Sequence, residues 1–492
     1  MSNEMYQIIA IGIYMAVMLY IGWYAYKKTA NLTDYMLGGR SLGPAVTALS
    51  AGAADMSGWL LMGLPGGIYV SGLANAWIAI GLTVGAYLNW LYVAPRLRSY
   101  TLVANDSITI PSFLENRFKD DTKLLRIISG IVILLFFTFY VSSGMVAGAV
   151  FFQSSFGLNY HTGLLLVSVV VVAYTLFGGF LAVSYTDFIQ GMMMVLALLL
   201  VPIIGFSKTG GTAETFNTIR SIDPSLLDLF KGTTVLGIIS TSAWGLGYFG
   251  QPHIITRFMA ITSIKEIKSA RRIGMGWMIF SLIGAVLTSL VGLAYFNQNP
   301  DVKLDNPEAV FIVLGQIFFH PLFAGFMLAA VLAAIMSTIS SQLIVTSSAL
   351  TEDLYKILFK KEKSDMQYVF FGRLAVLLVA IVAAALAWAQ NDTILGLVAY
   401  AWAGFGAAFG PIILLSLYWR KMTNWGAIFG MVAGAATVVI WSYTGLSDTM
   451  YEIVPGFLIN LIVSIVVSLV TYKTNPEIEK EFNQSVENLK SE

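Results

Sequence analysis

The feature that most limits the fold of this chain is a long succession of apolar segments. A helix needs roughly 20 mostly apolar residues to cross the hydrocarbon layer of a membrane. That window predicts about thirteen spans, at 5–26, 45–70, 73–95, 124–155, 160–184, 187–207, 233–252, 273–296, 322–349, 370–389, 393–418, 425–443 and 450–472. Charged residues make up only 11% of the chain, about half the share in soluble domains. The sequence therefore predicts an all-α integral protein of the cell membrane.

The distribution of Lys and Arg predicts the orientation of these spans. Cytoplasmic loops of membrane proteins carry an excess of Lys and Arg. If the N-terminus lies outside, only four of the 28 basic residues remain in outer loops, namely Lys208, Arg220, Lys231 and Lys303. A miscounted span would destroy this alternation, so we expect the C-terminus inside. The prediction is a single transmembrane domain, 1–474, and a short cytoplasmic tail, 475–492.

Two predicted spans contain residues that interrupt a helix. Residues 58–67 of the second span include four Gly and one Pro, and residues 245–252 of the seventh include three Gly and one Pro. Backbone freed at membrane depth must be buried in protein or line a wet cavity. Each interrupted span opens a set of five, and because five is odd the second set starts from the opposite side. The pattern predicts two inverted repeats, about 45–207 and 233–418, with a transporter's binding site between the breaks.

Asp55 is the carboxylate that lies farthest from any predicted span end. A charge at that depth costs at least about 2.5–3.5 kcal/mol on insertion scales, and a bound cation offsets the cost. Sodium prefers hard oxygen ligands, which unwound carbonyls and the Ser57 hydroxyl supply. Ala334, Ser337 and Thr338 share one helix face in the ninth span and predict a second wall. The alternatives are an Asp that only stabilises the kink and hydroxyls that bond their own helix.

Aromatic residues with polar tips accompany the same breaks. Trp244 and Tyr248 stand four residues apart in the seventh span, and we expect Trp59 and Tyr140 to face the same cavity. Such side chains can close over a small amphiphilic solute, although packing is their usual role in membranes. Asp187, where the fifth and sixth spans meet, is interpreted either as a helix cap or as a step in cation exit.

Several functional classes are excluded by what the sequence lacks. It contains no cysteine, which rules out disulfides, Cys-ligated zinc and thiol catalysis. A P-loop, a potassium-channel filter and the common hydrolase motifs are also missing. The net charge of +1 argues against a nucleic-acid partner. We expect no enzyme activity, no organic cofactor and no obligatory protein partner.

The motifs that surround these residues are similar to those of the sodium/solute symporter family, most closely its bacterial sodium/proline symporters. The matching blocks are DYMLGGRSLGP (34–44), VTALSAGAADMSGWLLMGLPG (46–66), WGLGYFGQPHI (244–254), TEDLYK (351–356) and LVAYAWAGFGAAFGP (397–411). The likeness runs through nearly the whole chain and is weakest in the tail and outer loops. It implies a thirteen-helix protein with the inverted-repeat fold of neurotransmitter-type symporters.

The resemblance also implies roles for single residues. The residues that match the family's sodium ligands are the carbonyls of Ala53, Met56 and Ala334 and the hydroxyls of Ser337 and Thr338, with Asp55 and Ser57 as the family's essential Asp and Ser. The residues that match its proline side are Trp59, Gly63, Tyr140, Trp244 and Tyr248. Arg40 and Asp187 match residues used in sodium handling on the inner side. Ala54 departs from relatives that carry Ser there, and this difference should touch substrate affinity more than fold.

The predicted function is therefore a symporter that imports L-proline by alternating access, driven by the sodium gradient. Its expected partners are L-proline, the co-transported Na⁺ and the lipid bilayer. Three alternatives remain open at this point. The first is a sodium symporter of another small solute, such as pantothenate or a sugar. The others are a membrane sensor that binds proline without moving it and an ion channel that needs no solute.

Overall fold

The computed structural model describes residues 2–29, 31–359, 364–389 and 393–491. Within these ranges the chain forms helices and no named strand, with one isolated bridge between Leu42 and Ile261. Helices are the expected solution, because a spanning segment has no water to satisfy its backbone and must bond internally. The all-α membrane class predicted from the sequence is confirmed.

The α-helices follow one another with short connections. Up to the middle of the chain they are α1 (Asn3–Tyr26), α2 (Leu32–Leu37), α3 (Pro44–Asp55), α4 (Leu64–Ser71), α5 (Trp77–Leu88), α6 (Ala94–Val103), α7 (Ile110–Phe118), α8 (Leu124–Phe156), α9 (Tyr160–Lys208) and α10 (Thr212–Ile222). Thereafter they are α11 (Val235–Ser242), α12 (Pro252–Ala260), α13 (Ile267–Gln298), α14 (Val310–Phe318), α15 (Pro321–Ser348), α16 (Lys356–Phe359), α17 (Asp365–Leu386), α18 (Ile394–Tyr418), α19 (Asn424–Tyr443), α20 (Ile453–Thr471) and α21 (Pro476–Ser491).

Tighter and wider helical turns join several of these helices. The 3₁₀ segments are Gly38–Arg40, Gly72–Ala76, Pro224–Leu227, Ala243–Gly250, Ile264–Glu266, Pro307–Ala309 and Leu446–Asp448. The π-helical turns are Trp59–Gly63, Asn89–Val93 and Ala349–Tyr355. Such turns inside long helices often mark functional sites, and two of these segments lie in the spans predicted to be interrupted.

Ten helical segments of the described residues are long and apolar enough to cross a membrane. Three shorter apolar helices, Tyr160–Ala173, Val235–Gly250 and Pro307–Phe318, accompany them. The segment Pro321–Tyr355, which contains α15, is the most enclosed of the ten, with 83% of its apolar window buried. Helices α1, α3, α8, α9 and α17 all pack against α15, so α15 is the centre of the molecule.

The long helix α9 contains a sharp break at Gly179. Gly179 has φ 61° and ψ −168°, and an added Cβ there would lie 2.8 Å from the Tyr35 ring. Only glycine fits such a backbone and such a close approach. The fifth and sixth predicted spans therefore meet at Gly179 and not near residue 185, where the sequence analysis set the boundary.

The C-terminal tail is an ordered helix packed on α6. Ser99 Oγ donates a hydrogen bond to the carbonyl of Ser485 at 2.7 Å, and Lys119 Nζ lies 2.6 Å from a Glu481 carboxylate oxygen. The Phe482 ring meets the Tyr100 ring edge-on at a centroid distance of 6.0 Å. These contacts fix the tail, 475–492 in the sequence analysis, against the same end of the molecule as the α6–α7 connection.

Candidate functional site

The second predicted span is interrupted immediately after Asp55. Helix α3 ends there, and Met56 adopts the non-helical angles φ −79° and ψ 60°. The Met56 amide still donates to the carbonyl of Gly52, at 2.8 Å, whereas the Ser57 amide donates to the carbonyl of Asp55 at 2.9 Å. The chain continues from Gly58 through the π turn into α4. The break therefore leaves the carboxyl end of α3 inside the protein.

Two hydroxyls of α15 bond the carbonyl of Ala53 just before this break. Ser337 Oγ donates to the Ala53 carbonyl at 2.8 Å and lies 3.0 Å from the carbonyl of Ala334. Thr338 Oγ1 also donates to the Ala53 carbonyl, at 3.3 Å. The structure thus brings together four of the residues named as cation ligands, and Met56 is buried at the break beside them. The result is a cluster of hard oxygen atoms of the kind that an alkali ion prefers.

Asp55 is buried, with 2% of its surface exposed. One carboxylate oxygen accepts a short hydrogen bond from the Tyr248 hydroxyl. The other, Oδ1, has no hydrogen-bond partner in the described part of the chain. Asp55 is also the last residue of α3, where the helix dipole adds partial negative charge. The carboxylate and the helix end together favour a positive charge at this point.

The seventh predicted span is interrupted by a longer stretch of irregular backbone. Helix α11 gives way to the 3₁₀ segment Ala243–Gly250, and Gln251 is extended, with φ −81° and ψ 105°. Helix α12 then starts at Pro252. An added Cβ at Gly247 would lie 2.0 Å from Trp402 Nε1, so the glycine permits a close approach to α18. Both interruptions predicted from Gly and Pro are confirmed.

Trp244 is enclosed by other aromatic rings. Its ring centroid lies 6.0 Å from that of Trp59, 6.4 Å from that of Trp402 and 5.4 Å from that of Tyr451. Trp402 Nε1 donates to the Trp244 carbonyl at 2.7 Å, and the Trp402 ring meets the Tyr248 ring edge-on at 5.2 Å. Trp402 therefore holds both predicted aromatic residues of this span in place.

Trp402 and Tyr451 were not named in the sequence analysis. Trp402 stands in a block rich in Gly and Ala, 397–411, where a large side chain in the middle of a span is a usable signal. Tyr451 follows the turn after α19 and offers no such signal, because only the fold brings it onto Trp244.

Tyr140 and Trp59 each present an unsatisfied polar atom in this region. Tyr140 is 1% exposed, and its hydroxyl has no partner among the described residues. Trp59 Nε1 is equally buried and also lacks a partner there. Leaving such a group unpaired costs about 1–3 kcal/mol. Together with Asp55 Oδ1, these atoms indicate where a polar ligand would complete the hydrogen bonding.

Gly63 and Ser57 have structural positions that agree with a site at the break. An added Cβ at Gly63 would lie 3.3 Å from Trp59 Cβ and 3.4 Å from Leu395 Cβ, so a larger residue would displace Trp59. The Ser57 hydroxyl accepts a long bond from the Trp59 amide, at 3.4 Å. Both residues therefore lie directly against Trp59.

Asp187 belongs to a second buried cluster. Arg257 contacts it at 3.2 Å, and the Ser50 hydroxyl donates to the same oxygen at 2.7 Å. The Ser341 hydroxyl lies 3.3 Å from that oxygen and 2.6 Å from the Arg257 guanidinium. Asp187 lies inside α9, eight residues after the break at Gly179, so its interpretation as a helix cap was wrong.

Arg257 was missed by the sequence analysis, although it follows the broken segment by five residues. Its guanidinium joins α12 to α3 through Ser50, to α9 through Asp187 and to α15 through Ser341. A single Arg beyond a Gly- and Pro-rich break is a signal that could have been used.

Arg40 lies in a separate network. Its guanidinium bonds Asp106 at 2.9 Å, the carbonyl of Met259 at 2.7 Å and the carbonyl of Ser107 at 2.8 Å. These partners belong to the α6–α7 connection and to the end of α12. The structure therefore does not bring Arg40 together with Asp187, and links Arg40 to the carboxyl end of α12 instead.

A cavity of about 510 Å³ leads toward the aromatic residues. Its wall includes Ser240, Asp448 and Thr393, and it reaches Trp244 and Tyr451. The cavity is therefore continuous with the side of Trp244 that faces Tyr451.

The amino-acid sequence of this chain is similar to those of known transport proteins over most of its length. The family described as "Sodium:solute symporter family" matches residues 35–434. The chain is 66% identical to the high-affinity proline transporter PutP of Bacillus subtilis (strain 168), covering 95% of this chain and 98% of that protein. It is 58% identical to the osmoregulated proline transporter OpuE of the same strain, covering 94% of each. It is 53% identical to the sodium/proline symporter of Staphylococcus aureus (strain NCTC 8325 / PS 47), covering 97% of this chain and 95% of that protein.

Solved structures support the same architecture. A Na⁺-coupled sialic acid symporter in a substrate-bound, outward-open state superposes with a TM-score of 0.81 at 21% identity, covering 96% of this chain and 99% of that one. A closed nucleobase-cation-symport-1 family transporter gives a TM-score of 0.55 at 12% identity, covering 92% and 99%. At these identities the likeness establishes the fold and nothing further.

Proposed function

Since this chain belongs to the sodium:solute symporter family, we propose that it imports L-proline together with Na⁺ across the cell membrane. The high identity to proline transporters supports the choice of solute. The observation that carries the mechanism is Asp55, a buried carboxylate with one unpaired oxygen between a helix break and a cluster of oxygen ligands. No organic cofactor is needed, because the ion gradient supplies the energy.

In this proposal sodium binds between α3 and α15. Its ligands are the carbonyls of Ala53, Met56 and Ala334, the hydroxyls of Ser337 and Thr338, and the carboxylate of Asp55. In the structure both hydroxyls donate to the Ala53 carbonyl. A hydroxyl has two lone pairs besides its proton, so each can turn its proton away and offer a lone pair to the ion. The Ala53 carbonyl is released in the same step.

Proline then occupies the space beside the two breaks. Its ring would lie against Trp59 and Trp244, and its polar groups would meet Asp55, Tyr140 and the Tyr248 hydroxyl. Helix α12 begins at Pro252, and the amino end of a helix attracts an anion such as the substrate carboxylate. Ser57 and Gly63 act by fixing the orientation of Trp59.

The two ligands are coupled because both require the same break to be ordered. Each then raises the affinity for the other by the same factor. One Na⁺ with one zwitterion moves one net charge, worth about 2.3 kcal/mol per 100 mV, and a tenfold sodium gradient adds about 1.4 kcal/mol. Arg40 and the Asp187 cluster would hold the inner side closed until the breaks rearrange in alternating access.

We extend the proposal to the topology of the chain. The segment Trp59–Val103 divides at Gly72, where its first part completes the span begun by α3. The helix Tyr160–Ala173 and the broken segment from α11 to α12 add two crossings, which gives thirteen. Inverted repeats over about 45–207 and 233–418, an outer N-terminus and an inner C-terminus follow from the positions of the two breaks and of the basic loops.

The test is uptake of radiolabelled proline by the purified full chain in sealed vesicles. An inward sodium gradient should drive accumulation, and replacing sodium by potassium on both sides should abolish it. Equal accumulation with potassium would refute sodium coupling. Competition by pantothenate or a sugar at least as strong as that by unlabelled proline would refute the solute, and binding without accumulation would indicate a sensor.

A further inference from the structure

His253 is a buried residue with unsatisfied polar atoms that the proposed site does not yet use. It is 0% exposed and follows Pro252 at the start of α12. Neither ring nitrogen has a hydrogen-bond partner in the described part of the chain. A neutral imidazole contains one donor and one acceptor, so this side chain lacks two bonds that burial normally demands.

The ring of His253 is held by two aromatic neighbours. It meets the Phe137 ring edge-on at 5.4 Å and the Tyr140 ring edge-on at 5.8 Å. The hydroxyl of Tyr140 is itself unpaired among the described residues. Unsatisfied atoms from α8 and α12 therefore lie on neighbouring rings, and buried polar atoms of this kind normally have a hydrogen-bond partner.

The electrostatics at the amino end of α12 favour the carboxylate of a zwitterion. The segment before α12 is irregular, and α12 starts with its amino end at the break. The partial positive charge of that end attracts a carboxylate. The imidazole N–H is a donor at the same end and adds the directed bond that a dipole alone does not supply.

The backbone of His253 faces the other buried cluster. Its carbonyl accepts a hydrogen bond from the Arg257 guanidinium, which also contacts Asp187. His253 therefore has contacts with both the proposed solute site and the ion pair on the inner side.

We propose that His253 is a substrate-contacting residue whose imidazole N–H donates to the carboxylate of the transported imino acid. The inference rests on the proposed function, because it names a further group of the same site. It predicts that His253 discriminates proline from prolinamide, which keeps the ring and the secondary ammonium but has no carboxylate.

The experiment measures competition by proline and by prolinamide against radiolabelled proline on the purified full chain in saturating sodium. His253→Phe keeps an aromatic ring between Phe137 and Tyr140 but removes the donor. Loss of a bond to a charged group should lower proline affinity about 10- to 100-fold and leave prolinamide affinity nearly unchanged. The ratio of proline affinity to prolinamide affinity should therefore fall by the same factor. His253→Gln keeps a donor and should preserve most of the ratio. The half-buried His161, which contacts Trp388 and not the proposed site, provides the control His161→Phe, which should keep the ratio of the unmodified chain.

Three outcomes would overturn the inference. The first is unchanged proline affinity in His253→Phe, and the second is an equal loss of affinity for proline and prolinamide. The third is an equal fall in the ratio of the two affinities in His253→Phe and His253→Gln. Thermal stabilisation by sodium alone shows that each variant is folded. If the unmodified chain fails to bind proline, the proposed function itself fails, and that result is distinct from all three.

Discussion

Asp55 and Asp187 are both buried acids of the same membrane domain, yet their surroundings differ in one decisive respect. Asp187 faces the Arg257 guanidinium and two serine hydroxyls. Asp55 receives one hydroxyl, from Tyr248, and forms no ion pair among the described residues. The second oxygen of each acid, Oδ1, lacks a hydrogen-bond partner there. The charge of Asp187 is therefore balanced within the protein, whereas that of Asp55 is not. Burial alone therefore does not identify a ligand site, whereas a buried acid without a basic partner among the described residues points to one.

The position of each acid in its helix adds to the contrast. Asp55 ends α3, where the helix dipole is negative, and Asp187 lies within α9. The carboxylate of Asp55 at the end of α3 favours a cation that can bind and dissociate. The Asp187 cluster joins α3, α9, α12 and α15 by fixed bonds. We therefore interpret Asp55 as part of the ligand site and Asp187 as part of the closure on the inner side.

The largest expected effect comes from Asp55→Asn. Removing the unbalanced charge takes away the main attraction for a cation, so we expect sodium-driven proline uptake to be abolished at ordinary sodium concentrations. The measurement is uptake against sodium concentration at matched protein amounts. Asp228→Asn, in an exposed turn, provides the control. Normal sodium dependence in Asp55→Asn would remove the distinction between the two acids.

The Asp187 cluster should respond differently, through stability. Asp187→Asn or Arg257→Gln alone leaves a buried charge without its partner, which typically costs about 3–5 kcal/mol. We expect each single variant to lower the thermal midpoint strongly. The double variant Asp187→Asn/Arg257→Gln should recover much of the loss, because no charge is left unpaired.

A double-mutant cycle on the thermal midpoint of the purified protein measures this coupling. Additive losses would contradict the ion-pair interpretation. Recovery of stability without recovery of uptake would separate the two roles, since it would show that the pair is needed for transport as well as for folding.

Smaller effects are expected from the hydroxyls of α15. Ser337→Ala and Thr338→Ala each remove one ligand of the proposed sodium site, and we expect the sodium concentration for half-maximal uptake to rise about tenfold. Proline affinity at saturating sodium should change little. Ser348→Ala is the matched control on the same helix, because among the described residues that hydroxyl bonds the carbonyl of Ile344 one turn away and no other group.

The same assay applied to Trp244→Ala and Tyr248→Ala should show the reverse pattern, with proline affinity reduced more than sodium affinity. Equal effects on both ligands from all four variants would mean that the two sites are not separable.

The sequence predicted well those features that are local in the chain. Gly and Pro reveal the two breaks, because these residues weaken a helix wherever they stand. The stripe of Ala334, Ser337 and Thr338 follows from helical periodicity, and the structure places it against Ala53. The family motifs added the residue assignments that spacing alone left open.

Features that depend on distant contacts were not predicted. The guanidinium opposite Asp187 comes from a residue 70 positions away, and periodicity cannot pair two such residues. Residues 111–123 have the mixed apolar and charged pattern of a helix at the membrane surface, yet Phe113, Leu114 and Arg117 of α7 are buried. In each case the neighbours that decide burial belong to another helix.

The smallest expected effect concerns Trp402, which lies next to the site of Asp55. Trp402 contacts Tyr248, the partner of Asp55, and donates a hydrogen bond to the carbonyl of Trp244. Trp402→Phe keeps an aromatic ring and removes that bond, which is worth about 1 kcal/mol. We expect proline affinity to fall about fivefold, with stability and sodium affinity nearly unchanged. Trp425→Phe, on the exposed face of α19, is the control. A loss of sodium affinity instead would mean that Trp402 acts on Asp55 through Tyr248. The aromatic residues and the proposed cation site would then be coupled.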